Sequence, residues 1–507
     1  MTLLLTTPEQ HSFQDPTLEL DEKRLKKWLA SLPVLDVGDS LRKVLDALEP
    51  LNEQQLDVDR RLRLMGLYQA TVKRLYDAAE PLRLRQQPLS QLQRQHTVDQ
   101  VERLCLATAN GFKIAIKEIH AGAAGTLDSA RFGQVLRRAV QQLAAALLHS
   151  YRYYRPEPPF VFLELNQLYR LARHHGVQEQ AGAAQDGKTS SSLADIYQAT
   201  CLLSLTDPFS AAEGRVDHRF RSLLHYVPGT RIIPGNSWQG TPEGLYFIDL
   251  QSDSRPRHCV FLQSPVSGDD PHILDARVPL QRMHKTLAAL PADRRGKRVE
   301  TGLLRTLLPE VTPRERRRSV RRPAGRWIEV VTGLEVICDY LARYQRNAAT
   351  SGAMQADTVR WRIRDASEQG YRLAWGESAA SLLQVGDLVC VVADSEEEKC
   401  SFQLLVIRWV CDERDQGTGV GVEKLAGVPS PMRLEVVDES GGGTRQALFL
   451  PSAGDFAARV VAPRKIYKKN RSLRLHVGDR QVPVRCTVRV ERGPGFDCFE
   501  FTSAHST

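Results

Sequence analysis

The sequence predicts a multidomain α+β chain: a helical N-terminal domain, a small mixed segment, and a C-terminal antiparallel β-barrel followed by a second β-rich barrel. Three observations predict it. Apolar residues recur at three- and four-residue steps as far as Tyr226, as helices with one buried face require. Near Pro228-Gly229 that period gives way to short extended runs. Beyond Trp327, short runs of alternating or β-branched residues follow one another between Gly, Asp and Ser, the spacing of small barrels. A chain of 507 residues exceeds one ordinary core. We therefore expect units at 1–228 (helical), 229–312 (mixed α/β and linker), 313–430 (barrel with an N-terminal arginine arm) and 431–507 (second barrel).

Within the helical part, residues 17–50 read as helical runs broken at Pro33 and Pro50. Glu53 to Tyr76 carries Leu62, Leu64, Leu67, Val72 and Leu75, and Leu89 to Ile119 continues the same spacing. Ala130 to Tyr154 presents Val135, Val140, Leu143, Leu147 and Leu148 on a broad stripe that Arg131, Arg137 and Arg138 interrupt, so it reads as a packing face rather than a membrane span. Pro156 to Pro159 ends that helix and Phe160 to His174 starts another. Residues 177–192, rich in Gly, Ala, Gln and Ser, read as a loop, and helical spacing resumes over Ser192 to Leu205 and Phe220 to Tyr226.

Strands are expected over Gly244 to Leu250, Cys259 to Leu262 and Ile273 to Val278, and helices over Val278 to Ala289 and Glu300 to Leu308. The first barrel takes strands at Trp327 to Thr332, Val359 to Arg364, Tyr371 to Leu373, Val385 to Val392, Phe402 to Val410 and Gly419 to Leu425, while Leu334 to Tyr344 reads as helical. The second takes Met432 to Val437, Arg445 to Leu450, Ala458 to Val461, Ser472 to Val477, Gln481 to Val490 and Phe496 to Phe501. Gly441 to Gly443 reads as a hairpin loop.

Composition narrows the function. A 42% hydrophobic and 25% charged sequence is that of a folded chain. The start has neither a basic n-region nor an apolar core, no stretch approaches the roughly 18 apolar residues of a membrane span, and a cytoplasmic location is expected. Nine cysteines lack any Cys-x-x-Cys pair and most read as reduced core residues, while His174, His175, His218 and His225 lack metal-site spacing. No Walker loop, nucleophile elbow or dinucleotide fingerprint is present, so neither an enzyme nor a cofactor is expected.

The formal charge is +9, and it is concentrated. Asp293 to Arg326 holds twelve Lys or Arg against four acids, a net +8. At its centre Arg316, Arg317, Arg318, Arg321 and Arg322 fall within seven residues, a field that draws anions. Asp365-Ala366-Ser367-Glu368-Gln369-Gly370 follows after an intervening strand.

The order Arg-x-x-x-Arg, strand, Asp-x-Ser-x-x-Gly, then Val406 to Trp409 and Gly421 to Glu423, resembles the PilZ domain, the bacterial receptor module for cyclic di-GMP, over roughly 314–428. The gap of 44 residues between Arg321 and Asp365 is longer than the family usually has, and a helix inserted after the first strand would account for it. The resemblance implies a signalling effector rather than an enzyme. Its cyclic di-GMP site would comprise Arg316, Arg317, Arg318, Arg321, Arg322, Asp365, Ser367 and Gly370, with Arg317 and Arg321 as the leading contacts. It further implies that ligand orders the arm and reorients flanking domains, with motility or surface attachment as typical outputs.

The chemistry suits these residue types. Guanidinium forks pair with phosphate or with guanine O6 and N7, and a carboxylate accepts from guanine N1 and N2. Serine can bond a phosphate or close the turn, and glycine permits close approach or positive φ. The helical domain is expected to carry a protein partner that the sequence does not identify. Two alternatives stay open: nucleic-acid binding through this segment and the cluster Arg464, Lys465, Lys468, Lys469, Arg471 and Arg474, or a ligand-free scaffold. The second barrel has no Asp/Asn-x-Ser-x-x-Gly match and is expected to be structural.

Overall fold

A computed structural model describes residues 3–12, 15–33, 36–80, 90–122, 128–182, 191–235, 241–262, 268–291, 294, 298–308, 320–347, 358–375, 383–393, 401–413, 417–437, 443–477 and 480–503. Two units result, Met1–Arg314 and Glu315–Thr507.

In the first, α1 (Glu22–Ser31), α2 (Val37–Glu53), α3 (Val58–Ala78), α4 (Gln91–His120), α5 (Ser129–Arg152), α6 (Val161–His174), α7 (Leu193–Ser204) and α8 (Arg215–Tyr226) follow in order. Asp21, Asp36, Asp57, Ser90, Asp128 and Ser192 start six of them by accepting the amide three residues on, each cap contributing about 1 kcal/mol. Helix α6 has no such local cap. Asp253 supplies one from 90 residues away, accepting from the amides of Phe160 (2.9 Å), Phe162 (3.2 Å) and Leu163 (3.1 Å). Pro50 does not end α2 as expected. It lies in the last turn, where the ring deprives only the Asp46 carbonyl of its donor, and Asp46 is exposed.

Strands β1 (Arg231–Pro234), β2 (Leu245–Asp249), β3 (Arg257–His258) and β4 (Pro271–Asp275) form a sheet in the order β1-β4-β2-β3, and α9 (Arg277–Ala288) and α10 (Val299–Leu307) follow. Cys259–Phe261, expected as strand, is a single 3-10 turn, because pairing with β2 ends at His258. This sheet and the helices share one core, in which Tyr246, Ile248 and Leu274 pack with Leu303 and Leu307. Among the described residues no helix is long and apolar enough to cross a membrane.

Two ionisable features lie deep in this core. Lys113 and Glu164, 2% and 4% exposed, pair at 2.7 Å, and Thr6 adds its amide and hydroxyl to the Glu164 Oε1. His149 is fully buried; its Nε2–H donates to the Val98 carbonyl at 2.9 Å and its Nδ1 has no partner among the described residues. Burial, aided by Arg152 and Arg155, pushes the His149 pKa down to about 3, against the Val98 hydrogen bond. A depressed pKa means that the unfolded chain takes the proton first. Stability fully present above pH 6.5 is therefore expected to fall, by up to about 1.4 kcal/mol per pH unit, as pH drops toward about 3, below which no more is lost. Urea unfolding at neutral and mildly acid pH checks this; an equally steep acid loss in His149→Gln would assign it to other groups.

In the second unit, β5 (Arg322–Pro323), β6 (Trp327–Thr332), α11 (Leu334–Asn347), β7 (Val359–Ala366), β8 (Gly370–Trp375), β9 (Leu388–Ala393), β10 (Ser401–Glu413) and β11 (Gly417–Lys424) come first. The ring β6-β7-β8-β11-β10-β9 closes, and β5 adds to the side of β7. Next come β12 (Ser430–Val436), β13 (Arg445–Leu450), β14 (Arg459–Pro463), β15 (Ser472–Val477), β16 (Arg480–Arg492) and β17 (Phe496–Ser503), closing as β12-β13-β14-β17-β16-β15. Strand for strand, the two barrels have the same ring order.

They also share a core. Ile337, Cys338 and Leu341 of α11 pack with Leu388 and Leu404 of the first barrel and Leu448, Val461 and Phe496 of the second. The helix inserted between β6 and β7 thus accounts for the long gap and fills the space between the barrels. The β3 bound of the mixed sheet and the two-residue β5, too short to show a period, are not evident from sequence.

Candidate functional site

Asp365 lies near the end of β7, between two neighbours. Its Cα partners are Pro323 on β5 and Arg372 on β8, and the β7–β8 register slips between Ile363 and Asp365. A bulge of this kind re-aims side chains at a barrel rim. Arg321, just before β5, donates through Nη1 to the Asp365 Oδ1 at 2.7 Å. Both side chains are partly exposed, at 31% and 23%, so the pair is open to exchange with a ligand. The structure therefore brings together two residues 44 positions apart.

Ser367 closes the turn into β8. Its amide and hydroxyl both meet the Gly370 carbonyl, at 2.9 Å and 3.2 Å. Gly370 opens β8 opposite Glu423, and a Cβ there would stand 1.9 Å from the Val422 carbonyl oxygen. Close strand approach, not positive φ, requires glycine here. The Gln369 carbonyl accepts from the Lys424 amide at 2.8 Å, tying the turn to β11 on its other side.

Arg322 pairs with Ala366 across the β5–β7 ladder and its side chain is exposed. Arg316, Arg317 and Arg318 lie outside the described residues. Further along β7, Arg362 is exposed opposite Trp327, itself 54% exposed. Alternation along Val359 to Arg364 marks Arg362 as outward-facing in sequence, but not its pairing with Trp327.

The later motif residues hold the barrel wall. Gly421 leaves room for the Trp409 ring, since a Cβ there would stand 1.9 Å from its Nε1. Arg408 occupies a register break in β10 and bridges Glu423 and, on β16 of the second barrel, Glu491, both at 2.6 Å. Burial opposes its charge, and the two carboxylates overcome that, raising its pKa. In sequence Arg408 falls within a motif, but nothing local marks its partner Glu491, 83 residues away.

In the second barrel the equivalent β13–β14 connection reads Pro451 to Ala458, and Leu425 to Pro429 precedes β12. Neither segment contains arginine, and the first lacks the Asp-x-Ser-x-x-Gly pattern. Among the described residues no cluster of His, Cys, Asp or Glu has the form of a metal site.

Comparison with known proteins adds the following. Residues 23–235 match the family model described as the N-terminal domain of cyclic-di-GMP receptor FimW, and residues 339–431 match that of its middle PilZ domain. The chain is 24% identical, over an alignment 588 positions long, to the cyclic-di-GMP receptor FimW of Pseudomonas aeruginosa, covering 99% of this chain and 94% of that protein. No solved structure matches.

Proposed function

We propose that this chain is a cyclic di-GMP receptor whose first barrel, matched by the PilZ-domain model, binds its ligand between the arginine arm and the Asp365 to Gly370 turn. The observation that carries the proposal is the Arg321–Asp365 pair, which fastens the arm beside that turn. A cyclic dinucleotide presents two phosphates and two guanine edges. Arginines at 316, 317, 318, 321 and 322 offer forks to phosphate or to guanine O6 and N7, and Asp365 offers an acceptor to guanine N1 and N2. Ser367 and Gly370 support the site by shaping the turn, since the serine hydroxyl is engaged with the Gly370 carbonyl.

The arm begins where the two units divide, at Arg314–Glu315. Ligand capture there restricts the connection between them, and the helical domain passes the signal to a protein partner, with no chemical step. Motility and surface attachment are the outputs that this reading favours.

Calorimetric titration of the full chain with cyclic di-GMP tests the proposal. Arg317→Ala and Arg321→Ala are each expected to weaken binding by at least about tenfold, the range of one charge-assisted hydrogen bond. No heat at tens of micromolar ligand, or undiminished affinity in both variants, overturns it. Ser367→Ala should weaken binding less than Arg321→Ala.

A further inference from the structure

A second basic surface lies on the other barrel, built by the β14–β15 loop and β16. Between Arg464 and Arg474 the sequence has six Lys or Arg and no acid. Arg464, Lys465, Lys468 and Lys469 are exposed. The loop is held against β16: the Tyr467 hydroxyl donates to the Thr487 carbonyl (3.1 Å), the Asn470 amide to the Cys486 carbonyl (2.9 Å), and Arg464 to the Pro494 carbonyl (3.4 Å). Arg471 donates back into the loop, to the carbonyls of Lys465 and Ile466. Lys465 and Asn470 take left-handed φ of 73° and 67°, fixing a sharp loop rather than a loose one.

Next to this loop, β16 breaks register at Arg489 and leaves Val488 and Val490 57% and 40% exposed, with Arg492 exposed beyond them. The neighbouring acids are already engaged: Asp497 is 3% exposed and pairs with Arg489, and Glu491 pairs with Arg408. Exposed aliphatic side chains thus stand on a strand whose neighbouring described acids, Asp497 and Glu491, are each paired with an arginine.

We propose that this face is a peripheral contact for an anionic lipid surface, with the lysines and arginines on headgroup phosphates and Val488 and Val490 entering the interface. Three features favour lipid over other anions. A closed barrel has no free strand edge to which an acidic peptide could add. Its outer wall is convex, which suits a deformable plane. The loop's one aromatic, Tyr467, is turned inward beneath Arg489 (5.4 Å), leaving none to stack a nucleic-acid base. The face lies away from the arm in sequence and does not depend on ligand binding there.

Co-sedimentation of the full chain with phosphatidylcholine vesicles, with and without phosphatidylglycerol, tests the assignment. Each basic residue near an anionic bilayer adds about fivefold to partitioning. Lys468→Ala/Lys469→Ala/Arg492→Ala is therefore expected to lower binding to the anionic vesicles by about a hundredfold, Val488→Ser to lower it less, and raised salt to abolish it. An unchanged thermal melt confirms that the triple variant is folded; should it not fold, Lys468→Ala/Lys469→Ala alone is read in the same way. The proposal fails if the chain ignores anionic vesicles, if it binds neutral ones equally, or if Arg317→Ala/Arg321→Ala abolishes binding while the patch variant does not. A mobility shift of duplex DNA without vesicle binding overturns it in favour of nucleic acid.

Discussion

Gly370→Ala is expected to disable the first barrel and the proposed binding turn together. The new methyl would lie 1.9 Å from the Val422 carbonyl oxygen, a backbone atom in the β8–β11 ladder that cannot swing aside as a flexible side chain does. One strand must move. The glycine carbonyl also accepts both the amide and the hydroxyl of Ser367, and the adjoining Gln369 carbonyl accepts from Lys424, so displacement unpicks the turn that carries Asp365. Overpacking costs roughly 1–3 kcal/mol in a well-packed site, and a backbone partner puts this case at or beyond the top of that range. Urea unfolding followed by Trp361 and Trp375, stacked at 5.3 Å on β7 and β8, reads the stability. Calorimetry with cyclic di-GMP reads the site. A variant as stable as the parent would refute the steric account, and one that folds yet binds normally would separate the turn from the ligand.

Glu164→Leu should be the most destabilising single change in the first unit. It leaves Lys113, 2% exposed, without the carboxylate that receives its ammonium at 2.7 Å, and it takes from Thr6 the acceptor for both amide and hydroxyl. Burial already drives the Lys113 pKa down and Glu164 counters that, so removing the acid favours a neutral amine over a buried charge. Breaking such a pair costs about 3–5 kcal/mol, whereas replacing both members with apolar groups of similar volume is often close to neutral. Lys113→Met/Glu164→Leu is therefore expected to recover most of the stability lost in the single variant. Equal losses in the single and double variants would show that Thr6 and its segment, rather than the ion pair, supply the stabilisation.

Much of this architecture is legible in local sequence. The three- and four-residue period of the helices, their Asp and Ser caps, the strand alternation through both barrels and the Asp365 to Gly370 turn are each set by residues close together in the chain. The five arginines and the turn motif, too, are local, and their order resembles that of PilZ domains. What lay beyond sequence is nonlocal. The identical ring order of the two barrels, the placement of α11 between them, and the Arg408 bridge to Glu491 arise from strand pairing and packing across tens of residues.

Burial of charge belongs to the same class. Lys113 and Glu164 are 51 residues apart in ordinary helical sequence, and only the folded helices bring them together. At the candidate site the sequence by itself determined the residue types and their order, because chemistry and turn geometry are carried by neighbouring side chains. Tertiary structure decided that Arg321 reaches Asp365, that Ser367 is turned to the Gly370 carbonyl, and that Gly370 is needed for the carbonyl of another strand. Pairing partners and excluded volume are properties of the folded ensemble of strands, and no single segment contains them.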